Sequence, residues 1–152
     1  MDKNSIKPAL YTACQQYVQD RLSAIQAAIN AAQESANSET KSSAGDKYET
    51  GRAMAQNERD RNLVQLQQAR QLQAELQRID PTKPCDSVHP GALVHTSMGW
   101  FFISISAGKL SVDGVDYFAV SAAAPVAVAL SGKRAGEEAM FNGKAVRVEA
   151  VL

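Results

Sequence analysis

Cysteine is scarce in this chain of 152 residues. Only Cys14 and Cys85 are present, far apart, which excludes a disulfide framework or a zinc knuckle. Two free thiols in a reducing compartment are expected. Histidine is equally sparse, and His89 and His95 lack the companion ligands that a metal site needs. Aromatic residues make up 6% of the chain, so any core must lean on Ala, Val, Leu and Ile. Net charge is absent too: 16 basic residues balance 16 acidic ones, and the balance holds separately on either side of residue 80. Such a chain does not bind nucleic acid through net positive charge alone. No stretch approaches the roughly 18 apolar residues of a membrane span, and the opening "MDKNSIKPAL" lacks the apolar run of a signal peptide. We expect a cytoplasmic monomer with no membrane partner.

Breakers are missing from two long segments. From Tyr11 to Ala36 there is neither Gly nor Pro, and Val18, Leu22, Ile25, Ile29, Ala32 and Ala36 recur at the alternating three- and four-residue spacing of a helical seam. A second such run extends from Arg52 to Asp80, with Leu63, Leu66, Ala69, Leu72, Leu76 and Ile79 as its stripe. Two seams joined by a short polar connection predict an antiparallel coiled-coil hairpin over 1–80, with its tip at about 40–52. At about 1.5 Å per residue, a helix of roughly 30 residues reaches about 45 Å, so the hairpin is expected to project. Large seam residues lie near its base, whereas alanines and "NERDRN" lie toward the turn, which predicts a thin polar outer half.

"DPTKPCDSVHPG" ends the second helix and marks a linker over 81–90. Short β runs follow in 91–152: "ALVHTS", "WFFISIS", "DYFAVS" and "AVRVEAVL", punctuated by glycines. In "AAAPVAVALSGK", Pro125 suits a first helical turn and Gly132 a C-terminal cap. The expectation is an α+β protein whose C-terminal domain is an antiparallel sheet of four or five strands with one short helix.

Asp46 and Glu49 stand three residues apart in "SSAGDKYETGRAM", between the two helical runs. On spacing alone the pair is a variant capping box: Asp46 at the N-cap takes a backbone N–H, and Glu49 reaches back to the N-cap amide. It also offers two hard oxygen ligands to one divalent ion. Lys41, Lys47 and Arg52 flank the pair, where they either offset phosphate charge or face solvent. Tyr48 between the carboxylates either stacks on a base or covers the turn. "RDR" at 59–61 is a solvated helix face or a contact with RNA or a protein wall. Trp100, Phe101 and Phe102 are consecutive on one predicted strand, so at least one ring is expected to face outward.

"AGDKYETGRAM" resembles the hairpin-tip pattern of the Gre family of bacterial transcript-cleavage factors, in which Gly-Asp is followed by two residues, then Glu, then a small residue and an aromatic. "AAAPVAVALSGKRAGEEAMFNGKAVRVEAVL" resembles the end of that family's C-terminal domain. There a helix leads into a Leu-x-Gly-Lys turn, a strand, a Gly turn and a last strand; the matching residues are Pro125, Leu130, Gly132, Lys133, Gly136, Glu137 and Gly143. Element order and spacing agree over nearly the whole chain. The tip departs from the family pattern at Tyr48, Thr50 and Gly51.

The resemblance implies a C-terminal domain of the FK506-binding-protein-like type. It also implies that the sheet domain docks on RNA polymerase while the hairpin enters the secondary channel of that enzyme. Asp46 and Glu49 would share Mg2+ with the polymerase, not bind it alone, and would stimulate cleavage of backtracked RNA. The protein would meet nascent RNA and DNA only through the polymerase, and it would be no enzyme in itself. Two alternatives stand beside this one: a channel regulator or inhibitor without cleavage, and a prolyl isomerase with a chaperone arm.

Overall fold

A computed structural model describes the backbone of residues 3–41 and 45–152, and side chains at 5–34 and 53–152. The protein is α+β, with two long N-terminal helices followed by a mixed six-stranded sheet and one short helix. Helix α1 spans Lys3–Lys41 and α2 spans Gly45–Gln77. Both exceed the runs free of Gly and Pro. α1 begins ahead of Pro8 and α2 includes Gly51, so the polar segment expected at 40–52 is helical up to Lys41 and again from Gly45.

The chain divides into two compact units: Val18–Gln71, and Met1–Tyr17 together with Leu72–Leu152. In the helical unit, Val18 and Ile25 of α1 are buried, with Leu22, Ile29 and Ala32 partly so, as the seam spacing predicts. The α2 seam differs from its expected stripe. Asn62 and Ala69 are buried and Leu66 is half-buried, while Leu63 is 47% exposed. Steps of four and three from Asn62 through Leu66 to Ala69 keep one face of the helix; Leu63 lies about 100° round from Asn62 and falls outside it.

In the other unit the strands are β1 (Leu93–Thr96), β2 (Gly99–Ser104), β3 (Gly108–Val112), β4 (Val115–Ser121), β5 (Glu138–Phe141) and β6 (Lys144–Val151), and the helix α3 is Pro125–Leu130. The sheet order is β3-β4-β2-β1-β6-β5. All pairs are antiparallel except β2 with β4, which run parallel from Trp100↔Tyr117 to Ser104↔Ser121. This corrects the all-antiparallel expectation. After β2 the chain reverses and skips one position to lay β3 at the edge. The β3–β4 hairpin then folds β4 back into the gap, so β3 serves as the crossover that a parallel pair requires. β3 is also the strand beyond the four or five expected; it is short, exposed and weakly alternating.

Asx-Gly turns set two of the three hairpins, β3–β4 and β5–β6. Asp113 and Asn142 adopt left-handed φ of 51° and 52°, each followed by a glycine with positive φ, which is the Asx-Gly signature of a two-residue turn matched to strand twist. α3 starts with Pro125 in its first turn and ends at Leu130, with Ser131 as its cap and Gly132 beyond it at φ 77°, as expected from the sequence.

Both faces of the sheet are covered. On one, Val94, Phe101, Ile103, Val146 and Val148 pack with Val88 and with Val126, Ala127 and Leu130 of α3. On the other lie Leu93, Phe102 and Ser104, where the Cys14 thiol of α1 comes within 3.8 Å of the Ser104 hydroxyl. Phe101 and Phe102 are therefore both buried, on opposite faces, and only Trp100 of that aromatic run is partly exposed. The first turns of α1 are fastened to this unit by polar contacts as well. The Tyr11 hydroxyl donates to the Leu76 carbonyl at 3.2 Å, and Lys7 reaches the linker and the end of β6.

Candidate functional site

The carboxylate pair sits where two long helices follow each other with three residues between them. Asp46 and Glu49 lie in the opening turns of α2, which starts at Gly45. Asp46 is the second described residue of α2, and the capping role that its spacing suggested falls on a side chain outside the described residues. Their side chains, and those of Lys41, Lys47, Tyr48 and Arg52, lie outside the described residues. Backbone position alone has one electrostatic consequence: unpaired N–H groups at a helix N-terminus favour negative charge within the first turn.

Farther along the helical unit, Ile29, Ala32 and Gln33 of α1 and Ala55, Arg59, Asn62 and Leu63 of α2 line a cleft of about 350 Å³. Asn62 is only 3% exposed, and its Nδ2 has no hydrogen-bond partner. Within "RDR", Arg61 makes an exposed ion pair with Glu58 at 3.3 Å, one helical turn away, while Arg59 joins the cleft wall. A solvated face accounts for Arg61. Asn62 escaped notice because it closes a polar hexapeptide and carries no apolar signal.

In the sheet unit, a cavity of about 290 Å³ is lined by Glu75, Arg78, Ile79, Pro90, Ser104, Ser121, Ala122 and Ala123. It lies by the ends of the parallel strands β2 and β4. None of these residues is aromatic, whereas prolyl isomerisation calls for an apolar pocket walled by rings. The rings gather elsewhere: His95 stacks on Trp100 at 4.2 Å with 13° between planes, and Trp100 meets Tyr117 at 5.6 Å. His89 is separate, with Nδ1 at 3.1 Å from the Pro90 carbonyl, so the two histidines do not form a common site. Among the described residues, no three His, Cys, Asp or Glu side chains come together to hold a metal ion, and no helix is long and apolar enough to cross a membrane.

The two thiols occupy unlike surroundings. Cys14 is buried, and burial pushes its pKa up while the Ser104 hydroxyl pulls it down to a lesser degree. Cys85 is half-buried in the linker, near the Lys7 ammonium. The sequence held no signal for this Lys–Cys proximity, because the two residues are 78 positions apart. Comparison with known protein families, characterised proteins and solved structures yields no match for this chain.

Proposed function

We propose that this protein is an accessory factor of RNA polymerase whose helical pair enters the secondary channel and presents Asp46 and Glu49 beside the active site, where they promote cleavage of backtracked RNA. One observation carries this proposal: two helices of 39 and 33 residues are separated by only three residues, and the carboxylates open the second. In this view residues 1–80 form a coiled-coil hairpin and the sheet is of the FK506-binding-protein-like type, as in the Gre family.

The chemistry of the donor set fits magnesium. Two carboxylates three positions apart on a helix supply hard oxygen ligands but fill only part of an octahedral shell, so groups of the polymerase must complete it. A magnesium ion held there would activate water or stabilise the leaving oxygen in phosphodiester hydrolysis. The protein's own part is to carry the carboxylates to the ion. Lys47 and Arg52 offset phosphate charge near the tip, and Tyr48 offers a ring to an unstacked base. Binding is to the polymerase; RNA and DNA are met inside that complex.

Stalled elongation complexes test the proposal. With the wild-type protein, backtracked RNA is cleaved; Asp46→Ala or Glu49→Ala lowers the rate by about tenfold or more while binding to polymerase persists. Cleavage unchanged by both substitutions removes the metal-donor role. Slower nucleotide addition with no cleavage product identifies instead a channel regulator, a second reading favoured by Gly51 within α2, where it costs about 1 kcal/mol of helix stability near the tip. Failure to bind polymerase at all rejects both.

A further inference from the structure

Lys7 is 5% exposed, and all three ammonium protons have a destination. Nζ donates to the Lys83 carbonyl at 2.7 Å and to the main-chain oxygen of Leu152 at 3.2 Å, and it stands 3.8 Å from Sγ of Cys85. One amine thus holds the first turns of α1, the linker and the end of β6 together beside a thiol. Cys85 is half-buried, so a small oxidant can reach it, whereas Cys14 is enclosed and its thiol is held protonated by burial. A partly exposed thiol next to a fixed cation is the setting in which cysteine oxidises selectively.

We propose that Lys7 and Cys85 form an oxidant-driven covalent clasp, a sulfenamide bond between Nζ and Sγ made when a peroxide reaches Cys85. In the first step the thiol attacks the peroxide O–O bond, giving Cys85 sulfenic acid and one water. In the second, the Lys7 ammonium releases one proton to solvent, the freed lone pair on Nζ attacks Sγ, the S–O bond breaks, and the hydroxyl leaves with a further proton from nitrogen as a second water. For hydrogen peroxide, the sum is thiol plus ammonium plus peroxide giving the S–N bond, two waters and one released proton; sulfur is oxidised by two electrons and peroxide is reduced by two. Sulfenic acids are known to condense with a nearby nitrogen or thiol, and here the amine is already positioned. The clasp closes within the sheet unit, reverses with a thiol reductant, and fastens residues that the ammonium already gathers.

The test treats the full-length protein with hydrogen peroxide at neutral pH and maps the product by protease digestion and tandem mass spectrometry. Lys7 is followed by proline, so trypsin leaves it on the same peptide as Cys14. A Cys14–Cys85 disulfide would lose the same two hydrogens as the clasp, so Cys14→Ala is run beside the wild type. The expected result in both is a linked peptide pair whose fragment ions join Lys7 to Cys85, which thiol reductant separates, and which falls to background in Lys7→Arg. Sulfinic acid on Cys85 without a link, a link that vanishes in Cys14→Ala, or a link to another lysine overturns the proposal. Fragment ions from the wild type decide the matter even where a variant folds poorly.

Discussion

At the scale of single residues, burial and hydrogen bonding decide which side chains matter to stability. Asn62 keeps an unpartnered amide nitrogen inside the helical unit, and an unmade hydrogen bond of that kind costs about 1–3 kcal/mol. Asn62→Leu is therefore expected to raise the chemical denaturation midpoint, with a gain of about 1–3 kcal/mol and an unchanged slope. A midpoint that stays put or falls would mean that the amide is satisfied by water in the adjoining cleft. Two exposed carboxylates set an acid limb. The Thr82 hydroxyl and then the Thr82 N–H hold the Asp80 pKa below its ordinary value; the Ser111 hydroxyl, aided by Lys109, does the same for Asp116. Because these folded-state values are depressed, their stabilisation is fully present above the unfolded value of about 3.9 and is lost as pH falls through the folded values. Denaturation midpoints measured from neutral pH downward should drop below about pH 4, and Asp80→Asn or Asp116→Asn should flatten that drop.

Among the elements, turns and helix ends do most to set the connections. The β5–β6 hairpin reverses at Asn142–Gly143, with φ of 52° and 76°. A Cβ at Gly143 would meet no atom within 4 Å, so any penalty comes from the backbone alone. Gly143→Ala is expected to cost about 1–2 kcal/mol in chemical denaturation, and a neutral result would show the turn relaxing to another type. Most strands were legible from their apolar runs: β1 lies within its segment, and β2, β4 and β6 each begin one residue before theirs. β3 was not, since "GKLSV" is an exposed edge whose place comes from pairing with β4 through the Asp113–Gly114 turn. The α1 seam was read correctly from Val18 through Leu22, Ile25 and Ile29 to Ala32, whereas Ala31 is exposed and the side chain of Ala36 lies outside the described residues. The α2 stripe slipped by one residue at Leu63, because hydrophobicity favoured a leucine where helical geometry placed an asparagine.

For the molecule as a whole, the sheet unit draws on both ends of the chain, Met1–Tyr17 and Leu72–Leu152. Leu10 and Cys14 are fully buried, and the Cys14 thiol meets Ser104 on the sheet face that also carries Phe102. A fragment of residues 91–152 would leave that face uncovered, so it is expected to aggregate or give poorly dispersed amide NMR signals. Adding a peptide of residues 3–17 should restore dispersion at least in part. A well-dispersed spectrum from the short fragment alone would show that α1 is dispensable to the sheet. By itself the sequence determined two long helices followed by a strand-rich segment, because breaker-free runs with seam spacing and short β-branched runs bounded by glycine are local signals. It also placed Asp46 and Glu49 at the junction of the helices. The tertiary structure alone decided the parallel β2–β4 pair, the buried amide of Asn62, and the meeting of Lys7 with Cys85. Strand order and the approach of distant side chains depend on which surfaces bury each other, and residues 78 positions apart carry no local trace of that choice.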